Sequence, residues 1–277
     1  MTVNTIIAVS IFTIGTVLAQ TGGEDFSSGI GNFVGLNNTT VNTTSGALEF
    51  SNSQDQGAGV TIDLNTAGVL GTDFVNLPTV DETLTPQSIF FQFTTIVPSG
   101  STAQDELGFF FGPPTNQAQT SDITNGNNTN GFTIFFNDGG LFAQNNGQGE
   151  QSDANNGSVN ILSDLQEGSE ITLNIEWFLV EAQNDGQFNN AFTVTADGID
   201  TDQNAVSATD TFDGAQNQGA TQINNFQFTA STTQGLTGTL DDFTVSTEPI
   251  PDPIPEPSAV LLTGLGALAL ISRRKRA

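Results

Sequence analysis

The sequence has no cysteine, no histidine and no tyrosine. It has one tryptophan, and its only four basic residues stand at the C-terminal end. Each shortage excludes something. Without Cys the chain cannot be stapled by disulfides, so the fold must rest on a core. Without Cys or His the commonest transition-metal ligands are missing, which leaves hard cations on oxygen ligands. Without His a Ser-His-Asp triad cannot form, and without Lys in the body neither can a Schiff base.

The shortage of positive charge is the sharpest. There are 30 Asp and Glu, all between Gln20 and Pro257, and in that stretch no Lys, Arg or His. The body can displace no phosphate counterions, which excludes nucleic acid as a partner. It has no electrostatic attraction to an anionic membrane surface. Salt bridges cannot help it fold, so screening or bound cations must relieve its self-repulsion. What the chain does have is 22 Phe, which carry no polar handle and read as packing.

The two ends differ from the body. Residues Ile6 to Leu18 form an apolar run that stops at Val17-Leu18-Ala19. Small residues there fit a signal peptide over residues 1–19, cut by signal peptidase between Ala19 and Gln20. At the other end five of the ten prolines alternate from Pro249 to Pro257. Such a run over 248–257 favours extended polyproline II and acts as a spacer. Ala259 to Ile271 is apolar with Gly264 and Gly266 inside, and Arg273, Arg274, Lys275 and Arg276 close the chain. A stretch of thirteen residues is shorter than a full span needs. The segment reads as a hydrophobic helix that hooks the membrane, with its basic cluster held on the cytoplasmic side.

Pro255-Glu256-Pro257, then a Gly-containing apolar segment, then Arg-Arg-Lys-Arg, resembles the PEP-CTERM sorting signal over residues 255–277. The resemblance implies export by a Gram-negative bacterium that makes extracellular polysaccharide. It implies recognition by exosortase, with cutting near Pro255, Glu256 and Pro257. It places the body at the cell surface, outer membrane or extracellular matrix, after a membrane-inserted stage.

Between the ends, residues 20–247 read as one domain. Period-two alternation recurs in short runs. Val60, Ile62 and Leu64 share a face, as do Ile89, Phe91 and Phe93, with Phe90 and Ile96 opposite. Phe132, Ile134 and Phe136 alternate, and Ile171, Leu173, Ile175, Trp177 and Leu179 do so over Glu170–Glu181. Phe192 and Val194, Phe226 and Phe228, and Phe243 and Val245 repeat the pattern. Turns are expected at Asn137-Asp138-Gly139-Gly140, Asn184-Asp185-Gly186 and Asp197-Gly198. Asn- and Thr-rich stretches at 37–44, 115–130, 144–156 and 205–221 read as surface loops. These signals predict an all-β, antiparallel, two-sheet jelly-roll sandwich.

Glu24-Asp25-Phe26-Ser27 at the front, the long run around Trp177 followed by Phe192–Gly198, and Leu240-Asp241-Asp242-Phe243 near the end resemble the concanavalin A-like lectin/glucanase (LamG-like) sandwich. That resemblance implies first and last strands lying side by side. It also allows a calcium site on Glu24, Asp25, Asp241 and Asp242, where carboxylates would ligate a hard cation; the alternative is solvated strand ends. Glucanases of that fold carry Glu-x-Asp-x-x-Glu on one strand. Here Glu176 and Glu181 stand five apart with no Asp between, so no catalytic residue is assigned. Trp177 is in register with Ile175 and Leu179 and reads as core. The expected function is an exported, non-catalytic surface or matrix protein. The alternative is a carbohydrate-binding module for extracellular polysaccharide.

Overall fold

The computed structural model describes residues 21–24, 26–27, 29–36, 39–43, 46–51, 58–64, 88–99, 106–112, 132–145, 159–181, 188–213, 225–231 and 237–251. The expectations for the signal peptide, the cleavage pair Ala19 and Gln20, the sorting motif Pro255–Pro257, the apolar segment and Arg273 to Arg276 lie outside those residues.

Fifteen strands form among them: β1 Thr21–Glu24, β2 Val34–Leu36, β3 Thr40–Asn42, β4 Leu48–Ser51, β5 Ala58–Asp63, β6 Ile89–Ile96, β7 Glu106–Gly112, β8 Phe132–Asn137, β9 Gly140–Asn145, β10 Val159–Leu162, β11 Glu170–Glu181, β12 Phe188–Ile199, β13 Ala205–Asp213, β14 Asn225–Ser231 and β15 Thr237–Ser246. They build two sheets whose neighbours all run antiparallel. Sheet A has the order β13-β12-β11-β6-β15-β4-β3, with β1 also on β15; sheet B has the order β10-β9-β8-β7-β14-β5-β2. The chain is therefore an all-β sandwich, as its alternation predicts.

The inward residues explain why the sheets close on one another. Sheet A contributes Phe91, Phe93, Leu173, Trp177, Phe192 and Phe243, and sheet B contributes Phe109, Phe111, Phe132, Ile134, Phe226 and Phe228, all buried. The rings interlock across the gap. Phe93 meets Phe109 at 4.6 Å, Phe226 meets Phe243 at 4.8 Å, and Phe132 stacks on Phe192 at 3.9 Å. Each such pair adds about 0.5–1.5 kcal/mol beyond its buried area. A phenylalanine core suits a body without ion pairs, because it needs no polar partner.

β15, the last strand, lies in the middle of sheet A between β6 and the pair β4 and β1. Thr21 is the register partner of Ser246. The first and last strands are thus side by side, and both chain ends leave from one end of the sheet.

Three expectations need correction. Asp197-Gly198 is not a turn: both residues pair within the sheet, with Ser207 and Val206. A Cβ at Gly198 would meet the side-chain ends of Leu165 and Ile171 at 3.3–3.5 Å. The turn comes later, where Asp200 accepts the Asn204 N–H at 2.7 Å. The stretch 205–221 is not all loop, since β13 occupies its first nine residues. Its composition hides a period-two pattern in which Ala208 and Phe212 pair with inward Ala196 and Phe192. Likewise the stretches 37–44 and 144–156 contain β3 and the end of β9. The Asn137–Gly140 turn forms as expected, with Asp138 and Gly139 both at positive φ.

Candidate functional site

The acidic corner predicted for calcium is only partly a cluster. Glu24 pairs in register with Phe243, one residue from Asp242. Its carboxylate turns away to the following loop, where Oε1 accepts the Asn32 N–H at 2.9 Å and Asn32 Nδ2 at 3.0 Å. Gly31, at φ +57°, makes room for it, since a Cβ there would lie 2.0 Å from Glu24 Oε2. This clasp brings Phe26 and Phe33 to the core, 5.6 Å apart, with Phe33 edge-on to Phe243 at 5.2 Å. Phe26 is held at φ +52°, a costly conformation for a bulky side chain.

The other half of the corner is a β-bulge. Asp241 pairs with Thr94 and Thr244 with Gln92, so β15 has one residue more than β6 over the same span. Asp242, at φ +50°, is the extra residue, and its N–H donates to Asp241 Oδ1 at 2.8 Å. Without the bulge, strict alternation would turn either Leu240 or Phe243 outward; with it both are buried. Asp-Asp therefore has a structural role that the sequence does not announce. Among the described residues no three acid side chains gather as a metal-holding group, and Asp25 lies outside them.

The two outer faces of the sandwich are chemically unlike. On sheet A the outward residues of β13, β12, β11, β6 and β15 line up in register as Thr209, Thr195, Asn174, Gln92 and Thr244. They bond to each other. Gln92 Nε2 donates to Asn174 Oδ1 at 2.6 Å, and Thr195 meets Thr209 at 2.9 Å. The next row joins Thr211 to Thr193 at 3.0 Å, and Ser88 Oγ donates to Glu176 Oε1 at 3.1 Å. Apart from buried Ser246, these rows are partly exposed.

On sheet B two rows cross the outer face. One runs Thr61, Gln227, Phe110, Thr133, Gln144; the other runs Gly59, Thr229, Gly108, Phe135, Phe142. Except for half-buried Thr61 and Phe142, these residues are buried, although they point away from the sandwich core. Phe135 stacks on Phe142 at 5.7 Å. The hydroxyls of Thr133 and Thr229, on residues 1% and 0% exposed, have no hydrogen-bond partner. Burying a hydroxyl in that state costs about 1–3 kcal/mol. Sequence reasoning missed this face entirely, since nothing in a short Phe-Thr-Ile-Phe run says which side will be covered. Trp177, by contrast, is fully buried in the core.

Comparisons with known proteins add two findings. The structure is similar to peanut lectin in complex with a nine-residue peptide, at 12% identity and a TM-score of 0.48, covering 84% of this chain and 99% of that one. It is similar to lectin I-B4 of Griffonia simplicifolia in a metal-free form, at 15% identity and a TM-score of 0.46, covering 82% and 99%. A Lotus tetragonolobus seed lectin matches at 13% identity and a TM-score of 0.46, covering 83% and 100%. No curated protein sequence matches the chain. Residues 253–276 match the PEP-CTERM protein-sorting motif, and that tail marks the chain as an exported protein.

Proposed function

We propose that this is a non-catalytic protein of the cell surface or extracellular matrix, delivered by exosortase through its tail. The PEP-CTERM motif at residues 253–276 carries the reading. In it, signal peptidase cuts between Ala19 and Gln20, Arg273 to Arg276 hold the tail at the cytoplasmic side of the membrane, and exosortase cuts near Pro255-Glu256-Pro257. The body then has no basic side chain left. The fold suits such handling, because Thr21 and Ser246 pair and so both membrane-directed ends leave the same end of sheet A. Mass spectrometry of the mature protein tests it. The expected species begins at Gln20 and ends near Pro257; a mature chain that keeps Arg273 to Ala277 sinks the reading.

A second reading, sugar binding to extracellular polysaccharide, draws on the outer face of sheet A, where half-exposed Thr195, Asn174, Gln92 and Thr244 present amides and hydroxyls. A glycan array read with and without Ca²⁺ tests it, and an array with no positive spot rejects it. The calcium expectation at Glu24, Asp25, Asp241 and Asp242 predicts a higher melting temperature in millimolar Ca²⁺. An unchanged melting temperature removes calcium from the proposal.

A further inference from the structure

We propose that β13, Ala205–Asp213, is an association edge. It pairs antiparallel with β13 of a second copy of this chain, and sheet A continues across a two-fold axis at Thr209. This goes beyond both readings above and depends on neither.

The first support is a contrast among the edges. A sheet edge presents unpaired N–H and C=O groups, so native proteins keep unpartnered edges short or irregular. Four edge strands of the sandwich follow that rule. β2 and β3 have three residues each, β1 and β10 have four, and β10 also shifts register against β9. β13 breaks it. It has nine residues, pairs with β12 over all nine without a shift, and contains no Pro, Gly or Lys. Its other side pairs with no described strand; β10 comes near it from the facing sheet but pairs only with β9.

The second support is that the side chains fit a second β13. Outward Ala205, Ser207, Thr209 and Thr211 are exposed and uncharged. Inward Val206 and Ala208 pack on the core but are only half-buried, and a further strand would finish covering them. With Thr209 opposite Thr209, Ser207 stands opposite Thr211, Val206 opposite Phe212, Ala208 opposite Asp210 and Ala205 opposite Asp213. Hydroxyls then meet hydroxyls, extending the Thr195–Thr209 and Thr193–Thr211 contacts. An aromatic meets a β-branched side chain, and both kinds of cross-strand pair are favourable. No acid stands opposite an acid.

The third support is that the strand specifies one register. A slip of one residue turns the second copy's Val206 and Phe212 to the outer face. A slip of two in one direction sets Asp210 against its own copy, which is unfavourable. A slip of two in the other direction sets Phe212 against Asn204, outside the strand. Charge then sets the conditions. Each copy carries 30 acids, so repulsion opposes the approach and salt relieves it.

Sedimentation equilibrium of the full exported chain, at about 0.15 M and about 1 M NaCl, tests the edge. A dimer is expected, tighter at the higher salt. In the salt where the parent dimerises, Thr209→Asp sets two new charges opposite each other and is expected to weaken the dimer about tenfold. Thr195→Asp adds the same charge one strand inward and is expected to weaken it far less. Single cysteines read the register, since the chain has none of its own. Thr209→Cys is expected to cross-link to its copy on oxidation, because facing residues lie about 5 Å apart. Ser207→Cys is expected to cross-link only when mixed with Thr211→Cys, because two copies of residue 207 would stand roughly 14 Å apart. A monomer at both salts overturns the proposal. So does equal weakening by the two Asp variants, or a dimer in which Thr209→Cys cross-links no faster than Ser207→Cys.

Discussion

On sheet A the outward residues meet water; on sheet B the outward residues are nearly as buried as the core. The residue choices follow. Sheet A turns out Thr, Asn and Gln, which suit a pleated, half-wet surface and bond along the row. Sheet B turns out Phe110 and Phe135 between glycines and threonines, and leaves two hydroxyls unmatched. A sandwich needs only its inner faces to be apolar. The buried outward residues of sheet B therefore mark a second covered layer of the fold rather than a surface open to water.

Paired substitutions offer the strongest way to break this contrast. Phe135→Ala removes a ring that is 3% exposed on the outer face of sheet B, and should cost about 3 kcal/mol. Phe90→Ala removes a half-buried ring from the outer face of sheet A, and should cost roughly 1 kcal/mol. Urea unfolding of the two variants measures both. Equal losses would mean that the two faces are not different environments. A smaller effect probes the polar row of sheet A. Asn174→Ala deletes the acceptor of the Gln92 amide, and since water can replace it, the loss should be about 0.5–1 kcal/mol. A loss as large as that for Phe135→Ala would show the row to be structural rather than a solvated surface.

The same contrast governs what could be read from the sequence. Strands with one wet face show clean alternation, and β6 and β11 are legible residue by residue: Ile89, Phe91 and Phe93 go in, and Gln92 and Thr94 go out. Strand β7 reads Glu-Leu-Gly-Phe-Phe-Phe-Gly and has no alternation to find, because both of its sides are covered. Asp-Gly at 197–198 carries a genuine turn signal, overridden by pairing with β13. At the acidic corner the sequence showed where the acids stand but not what occupies them. Glu24 is claimed by Asn32 and Asp241 by the N–H of Asp242, and bulge geometry is invisible in a bare Asp-Asp. The unmatched hydroxyls needed the whole sheet order before Thr133 and Thr229 could be seen to share a face.

The smallest effect is expected at the rim of sheet A, where polar groups are most solvated. Just beyond β12, the Asn204 backbone N–H and then its side-chain amide bond the Asp200 carboxylate and hold its pKa below the usual 3.8. A lowered value in the folded state means that the ionised form stabilises the fold. That contribution is complete above about pH 4 and is lost as the pH falls through the lowered value. The rest of the chain works in the opposite direction, because protonating other carboxylates relieves repulsion among the 30 acids. The two trends separate in Asp200→Asn. Its melting temperature should lie slightly below the parent's at pH 7, and the gap should close as the pH is taken below 3. A gap that stays constant over that range would mean that the ionised carboxylate has no special part in the turn, and that the Asn204 contacts are met equally well by a neutral amide.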